Sequence, residues 1–425
     1  AAGYPLLAEG EAGALYPPNW VTVGLLDLET GTTASIVGHY LLAAAGACLL
    51  LRALRLPWAA VALGALAFTL GGFYVAHLSH LSILHAVAWL PWLLYLTDGM
   101  LRREVTPRGL LVRMAALAAV VALQFLAGHA QISLLALGLV ALYALHAGLV
   151  ERRTGTRWEV WAAWLGALAI GAALAAPQLW ASAQLAALSQ RGGGLESAYF
   201  TSYSFHPLLA VTMLAPYARG NPYPQGSVEL MPYLGLLPVA LAAVGAVRSA
   251  RRVKWYLLAV AVLGLALAAG RWNPLYAYLL RVPVLNLFRV PARYLLWTHV
   301  GTVGLAALGM EALLAASPRR ASSAFTWALA GALIMCLLLV LGITLALAGE
   351  VDRLVTAWQS FPLLLGVASL AALGLLWQWH PRWGVTGALA VLVVDLLAYG
   401  AVLDGTFNAT WPRQAVVAAP RVLDV

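Results

Sequence analysis

The sequence predicts an all-α protein, a polytopic transmembrane helical bundle of about twelve spans with long loops on one face. Three observations carry this expectation. Of the 425 residues, 63% are hydrophobic and 10% charged. The mean hydropathy is +0.85, whereas soluble domains are roughly 45–50% apolar and about 25% charged. Apolar runs near the length that crosses a bilayer, roughly 20 residues, recur along the whole chain. Basic residues collect in every second connection between these runs, as the positive-inside rule requires of a multi-pass protein.

The runs fall at 34–51, 58–76, 81–97, 109–127, 131–150 and 158–188. They continue at 231–247, 254–270, 291–316, 323–348, 360–380 and 383–403. The first ends at Arg52 and Arg55, and the third is followed by Arg102, Arg103, Arg108 and Arg113. Arg152, Arg153 and Arg157 follow the fifth, and Arg248, Arg251, Arg252 and Lys254 the seventh. Arg319 and Arg320 follow the ninth, and Arg382 the eleventh. These short connections hold sixteen of the 25 basic residues and mark the cytoplasmic face. The other set faces outside: 1–33, His77–His80, Gly128–Ala130, 189–230, 271–290, 349–359 and 404–425. The domain reading is a first outer loop at 1–33, a transmembrane domain at 34–403 with an outer loop at 189–230, and an outer C-terminal segment from 404 to 425.

Composition excludes other classes. The net charge of +9 comes almost wholly from arginine, with Lys254 the single lysine. Because most of it lies in inner loops it reads as topology, and no nucleic-acid partner is expected. Cys48 and Cys336 lie in apolar runs, which argues against a disulfide or a thiolate metal site. No inverted-repeat symmetry is visible, which disfavours a secondary transporter. The chain opens in polar, Gly- and Pro-bearing sequence without Met, so a preceding piece is expected.

Candidate chemistry concentrates in the outer connections, since long loops with polar content are usually functional. The stretch from Gly3 to Trp20 is too rich in Gly and Pro for one helix and too apolar for a solvated linker. It offers Tyr16 as a substrate contact and Glu9 and Glu11 as acids, metal ligands or solvated loop carboxylates. Six of nine histidines lie at or near the outer face: His39, His77, His80, His85, His129 and His206. His77 and His80, three apart, share one face if their turn is helical. They suit a metal, a phosphate or interfacial packing, although spacing fixes no third zinc ligand. His129 and Gln131 stand at another outer turn with the same alternatives. Loop 189–230 carries Arg191, Glu196, Tyr199, Tyr203, His206, Arg219, Asn221 and Glu229, with Tyr233 just beyond. Such a mixture fits sugar recognition and an interfacial aromatic belt equally well. Within the spans stand two acids, Glu311 near an inner end and Asp395 deeper, the latter expected in a structural pair.

The segment Phe288-Arg289-Val290-Pro291-Ala292-Arg293-Tyr294 opens the run to Ala316. Pro291 suits a first helical turn. The two arginines oppose the helix dipole and the charge rule for that face, which points to an anion beside them. With Arg271 and Arg281 they form a cluster, and Arg289 and Arg293 face one way if both are helical. Arginine forks match phosphate oxygens. The alternatives are snorkelling to lipid headgroups and pairing with Glu229, Glu350 or Asp352.

Taken in order, Gly3–Asn19, Gly71–Pro91, Gly128–Gln131, Pro177 to Arg191, Glu229–Gly235, Phe288–Tyr294 and Val394-Asp395-Leu396 resemble the bacterial YfhO family of multi-pass membrane proteins. That family is related to GT-C glycosyltransferases. The resemblance implies a transferase in the bacterial cytoplasmic membrane, acting at its outer face. Its donor would be a polyprenyl-phosphate sugar and its acceptor a glycan or lipid of the cell envelope. Arg289, Arg293, Arg281, His77 and His80 would then hold the donor phosphate, and Tyr16, His129, Gln131, Glu229 and Tyr233 would contact substrate. No metal site and no definite cofactor are expected, though a divalent cation is compatible. The family's catalytic acid is expected just after an initial transmembrane helix, hence ahead of Ala1, which leaves Glu9 and Glu11 as the carboxylates of that loop. The family's outer C-terminal region is expected beyond Val425. The rival readings are a flippase or exporter of lipid-linked sugars and a scaffold for envelope assembly.

Overall fold

The computed structural model describes residues 3–102, 105–151, 158–216, 228–316, 323 and 357–407. Several expected features fall outside these residues: run 323–348 with Cys336, Arg103, Arg152, Arg153, Arg157, Arg219, Asn221, Arg319, Arg320, Glu350, Asp352 and the chain from 408 onward.

The described chain is helical, with no strand among the described residues. Two short helices, α1 (Leu6–Glu9) and α2 (Pro17–Gly24), precede the long α3 (Leu28–Ala53). The Asp27 carboxylate starts α3 by accepting from the Thr30 N–H at 3.1 Å. This start falls six residues ahead of the predicted run, because the cap and not the apolar content sets the boundary. Next come α4 (Trp58–Leu70), α5 (Gly72–Ala76), α6 (Leu81–Ala88) and α7 (Leu90–Met100). Helix α8 (Pro107–Leu126) is capped by Thr106, with Pro107 at its first position. Helix α9 (Ala130–Leu145) follows, then α10 (Trp158–Leu174) and α11 (Ala176–Ala187), bent by 68° against each other. Pro177 lacks the N–H needed to continue α10 straight through.

After α12 (Ser197–Phe200) and several 3₁₀ turns come α13 (Leu236–Arg248), α14 (Val253–Ala268) and α15 (Leu295–Ala315). Helices α16 (Ala357–Trp379) and α17 (Pro381–Phe407) complete the series. Seven helical stretches among the described residues are long and apolar enough to cross a membrane, or eight if the bent α10–α11 pair is one span. The chain is thus a multi-pass helical membrane protein. Eleven of the twelve predicted runs coincide with helices, but not all with full crossings. Helices α13 and α14 have 13 and 16 residues. At about 1.5 Å per residue neither alone covers the roughly 30 Å hydrocarbon core.

Small residues bring the central helices together. The Thr298 hydroxyl of α15 donates to the Ala261 carbonyl of α14 at 3.1 Å. Gly245 of α13 and Gly309 of α15 place the two backbones in direct contact. At the arginine-rich face, Arg251 donates to Glu311 at 2.5 and 2.7 Å and to the Leu54 carbonyl at 2.7 Å. It thereby fastens α14, α15 and the end of α3. Glu311 is a structural partner there.

Beyond the two acids expected from sequence, a further one lies deep within a span. Asp98 in α7 is fully buried. It accepts from Arg102 at 2.6 Å and from the Tyr143 hydroxyl at 2.5 Å. The predicted run stopped at 97, one residue short of it. Asp395 of α17 accepts the Tyr233 hydroxyl at 2.9 and 3.1 Å.

Candidate functional site

A break in one helix builds the site on the face opposite the arginine-rich loops. Between α4 and α5 the Gly72 N–H donates to the Tyr233 carbonyl at 2.6 Å. A Cβ at position 72 would stand 2.6 Å from that oxygen and 3.0 Å from the Met231 carbonyl. Glycine therefore admits segment 231–233 against the helix, and the turn before it lays Glu229 over His77.

His77, Glu229 and Arg293 then form one buried unit. Arg293 donates from Nε and Nη2 to Glu229 Oε1 at 2.9 and 2.6 Å, and from Nη1 to Gln131 Oε1 at 2.8 Å. His77 Nε2 lies 3.1 Å from Glu229 Oε2, and its Nδ1 lies 2.6 Å from the Phe73 carbonyl. Both neighbours of that imidazole are acceptors, a carbonyl and a carboxylate oxygen. Burial favours the acid form of Glu229, but the His77 hydrogen bond and charge, with those of Arg293, outweigh it and hold the carboxyl well below its ordinary range. A guanidinium has five N–H groups, and among the described residues Arg293 uses three of them.

Around it stand His80, exposed, with its ring 5.9 Å from that of His77, and buried His129, whose Nδ1 accepts the Ile132 N–H at 3.2 Å and caps α9. Burial lowers the affinity of both for a proton, with neighbouring charge adding to it. Glu11 is exposed and near enough to influence His80. Gln178 holds the first loop in place by donating to the Leu7 carbonyl at 2.6 Å. Gln131 also donates to the Arg289 carbonyl at 2.6 Å, joining α9 to the arginine segment.

That segment departs from expectation. Arg289 and Arg293 do not face one way. Val290 between them sits at φ 67° and ψ 73°, a left-handed conformation costly for a β-branched residue. The helical turn begins only at Pro291. Arg293 turns inward to Glu229, while the Arg289 guanidinium lies 4.8 Å from the Tyr199 ring and 5.9 Å from Tyr203. Arg191 donates to the Leu287 carbonyl at 3.3 Å beside it. Arg281 rests 5.3 Å from the Tyr278 ring, and Arg271 bonds the Thr201 carbonyl at 3.4 Å.

Of the residues singled out in sequence, His77, His80, Gln131, His129, Glu229 and Arg293 come together, and Arg289 borders them. Tyr16 has other partners: fully buried, it lies 2.7 Å from His39 Nε2 and 2.8 Å from the Trp89 indole N–H. Tyr233 turns its hydroxyl to Asp395. Glu9 is half-buried at the end of α1. His39 and His85 stack at 3.9 Å inside the bundle. Among the described residues no group of three His, Cys, Asp or Glu side chains is arranged to hold a metal ion. Sequence reasoning missed Gln178, whose only signal was a polar residue just beyond Pro177 at the helix bend.

Fold and site define a multi-pass helical membrane protein with a buried Arg293–Glu229–His77 cluster opposite its arginine-rich loops. No family model matches the chain, so the YfhO resemblance stands on the quoted residues. No curated protein matches it either. It is similar to the crystal structure of ArnT from Cupriavidus metallidurans bound to undecaprenyl phosphate, at 15% identity. That likeness covers 93% of this chain and 68% of the other, with a TM-score of 0.49.

Proposed function

We propose that the protein is a membrane glycosyltransferase of GT-C type. It transfers a sugar from a polyprenyl-phosphate carrier to an envelope acceptor at the outer face. The observation that supports this reading best is Arg293, pinned by Glu229 and Gln131 through three of its five N–H groups. As the bond from the sugar's anomeric carbon to the phosphate oxygen breaks, negative charge builds on the phosphate. A preorganised guanidinium stabilises that charge without reorganising. Arg289 adds a second guanidinium at the rim and His80 an imidazole. The acceptor hydroxyl gives its proton to a carboxylate, with Glu11 the exposed acid of the first loop. Energy is stored in the donor itself, so no nucleotide site is required.

The test is full-length protein in liposomes, given radiolabelled polyprenyl-phosphate sugar and an envelope acceptor fraction. Label should move to the acceptor, and Arg293→Ala should lower transfer by roughly 10²–10³, the usual loss for one oxyanion-stabilising donor. Donor crossing the bilayer with no transfer would sink the enzyme and leave the flippase.

A further inference from the structure

We infer that a cleft on the arginine-rich face, remote from the site above, binds the phosphate of an anionic lipid headgroup. The cleft has a volume of about 270 Å³ and is lined by Arg52, Arg102 and Arg113 with Leu49, Tyr95 and Gly99. It lies between the end of α3, the end of α7 and the start of α8. Its three guanidiniums are not equivalent. Arg102 is neutralised by buried Asp98, to which it donates from Nε and Nη2 at 3.1 and 2.6 Å. Arg52 donates to the Leu56 carbonyl at 2.5 Å and lies 4.6 Å from the Trp58 ring. Arg113 meets no carboxylate among the described residues. Among the described residues, Arg52 and Arg113 thus line the cleft without a carboxylate partner.

Arg113 is also seated. Its side chain lies across Gly99, where an added Cβ would stand 2.6 Å from Nε and 3.0 Å from Cδ. A Cβ at 99 would oblige the Arg113 side chain to leave this position.

The surroundings favour a lipid over a soluble anion. Leu49, Trp58, Leu111 and Val112 border the cleft's helices and are exposed at 39%, 67%, 66% and 62%. In a bilayer these surfaces meet acyl chains, so a headgroup in the cleft keeps its tails on apolar walls. Basic pockets between helices on the cytoplasmic side recognise lipid headgroups by this combination. Arg251 shows the contrast: Glu311 neutralises it, and four of its five N–H groups bond Glu311 and the Leu54 and Arg55 carbonyls.

The experiment is native mass spectrometry of the full chain released from nanodiscs of phosphatidylcholine doped with phosphatidylglycerol. The wild type should retain phosphatidylglycerol. Arg52→Gln/Arg113→Gln should raise the phosphatidylglycerol fraction needed for half-occupancy roughly 30-fold, from about 1 kcal/mol per arginine near a charged surface. Gly99→Ala, which keeps every charge, should also raise it severalfold and serves if the double variant fails to fold. Arg108→Gln/Arg248→Gln, exposed arginines outside the cleft, should leave it unchanged. Equal retention in the cleft variants, or equal loss in the control pair, overturns the inference. Displacement of the lipid by millimolar inorganic phosphate overturns the lipid and assigns the cleft to a soluble phosphate anion.

Discussion

Glu229 divides its two oxygens between an arginine and a histidine, and it is 5% exposed. Removing one partner of such a buried pair strands the other charge, which costs about 3–5 kcal/mol. Glu229→Gln should therefore lower the thermal midpoint by many degrees in detergent, while Glu11→Gln, exposed, should leave it unchanged. Equal midpoints for wild type and Glu229→Gln would show that the unit is not structural. The neighbouring groups set a pH response with a definite sign. His129 is held neutral in the fold, whereas unfolded histidine takes up a proton near 6.5. Glu229 stays ionised in the fold, whereas an unfolded glutamate is protonated near 4.5. Both folded affinities are depressed, so both contributions are complete above the unfolded values and are lost as pH falls. Stability should be flat above about pH 7, decline below 6.5 and decline further below 4.5. His129→Asn, which can still cap α9 through its side-chain oxygen, should remove much of the upper step. A midpoint that rises on acidification would contradict the assignment.

The segment 288–294 shows how an element converts strain into placement. A left-handed, β-branched Val290 costs about 1–3 kcal/mol, held by its near-complete burial at 2% exposure. Its conformation turns Arg289 toward Tyr199 and Arg293 toward Glu229, where an ordinary helical start would have aligned them. Val290→Gly relieves the strain but forfeits about 1.5–3 kcal/mol of side-chain burial, so the two nearly cancel. Stability should shift by less than about 1.5 kcal/mol, while donor affinity, read by titration with polyprenyl phosphate, should weaken several-fold as the segment loses its fixed course. Unchanged affinity would mean that the bend does not serve binding. This element also marks where sequence stops being legible. Apolar runs located the helices because burial in lipid demands them. The bend at Val290 leaves no pattern, since nothing in valine anticipates a positive φ. Likewise Gln131, His77, Glu229 and Arg293 were each noticed alone. Their union depends on segment 231–233 passing Gly72, a contact 161 residues apart in sequence. Pairing of the arginines with Glu229 was foreseen as one alternative; its joint hold on His77 was not.

At the scale of the whole molecule, the two faces differ in what their charges do. On one, Arg251 and Arg102 are paired with Glu311 and Asp98, and among the described residues Arg52, Arg108, Arg113, Arg248 and Arg382 stand near helix ends. On the other, Arg293 is drawn into a buried unit, and Arg289, Arg281 and Arg271 rest on rings and carbonyls of long loops. The positive-inside rule assigns the first face to the cytoplasm. Polyprenyl-phosphate sugar can reach the cluster from outside only if that assignment holds. Cysteines introduced at exposed Ser197 and Arg281 should react with a membrane-impermeant maleimide in intact cells. Cysteines at exposed Arg108 and Arg248 should react only after permeabilisation. Cys48 lies within α3 and Cys336 in an apolar run, so the background is low. The reversed pattern would put the cluster in the cytoplasm, where nucleotide-activated sugars are the available donors. The proposed lipid-linked donor would then fail, while the phosphate chemistry of Arg293 would still need a partner.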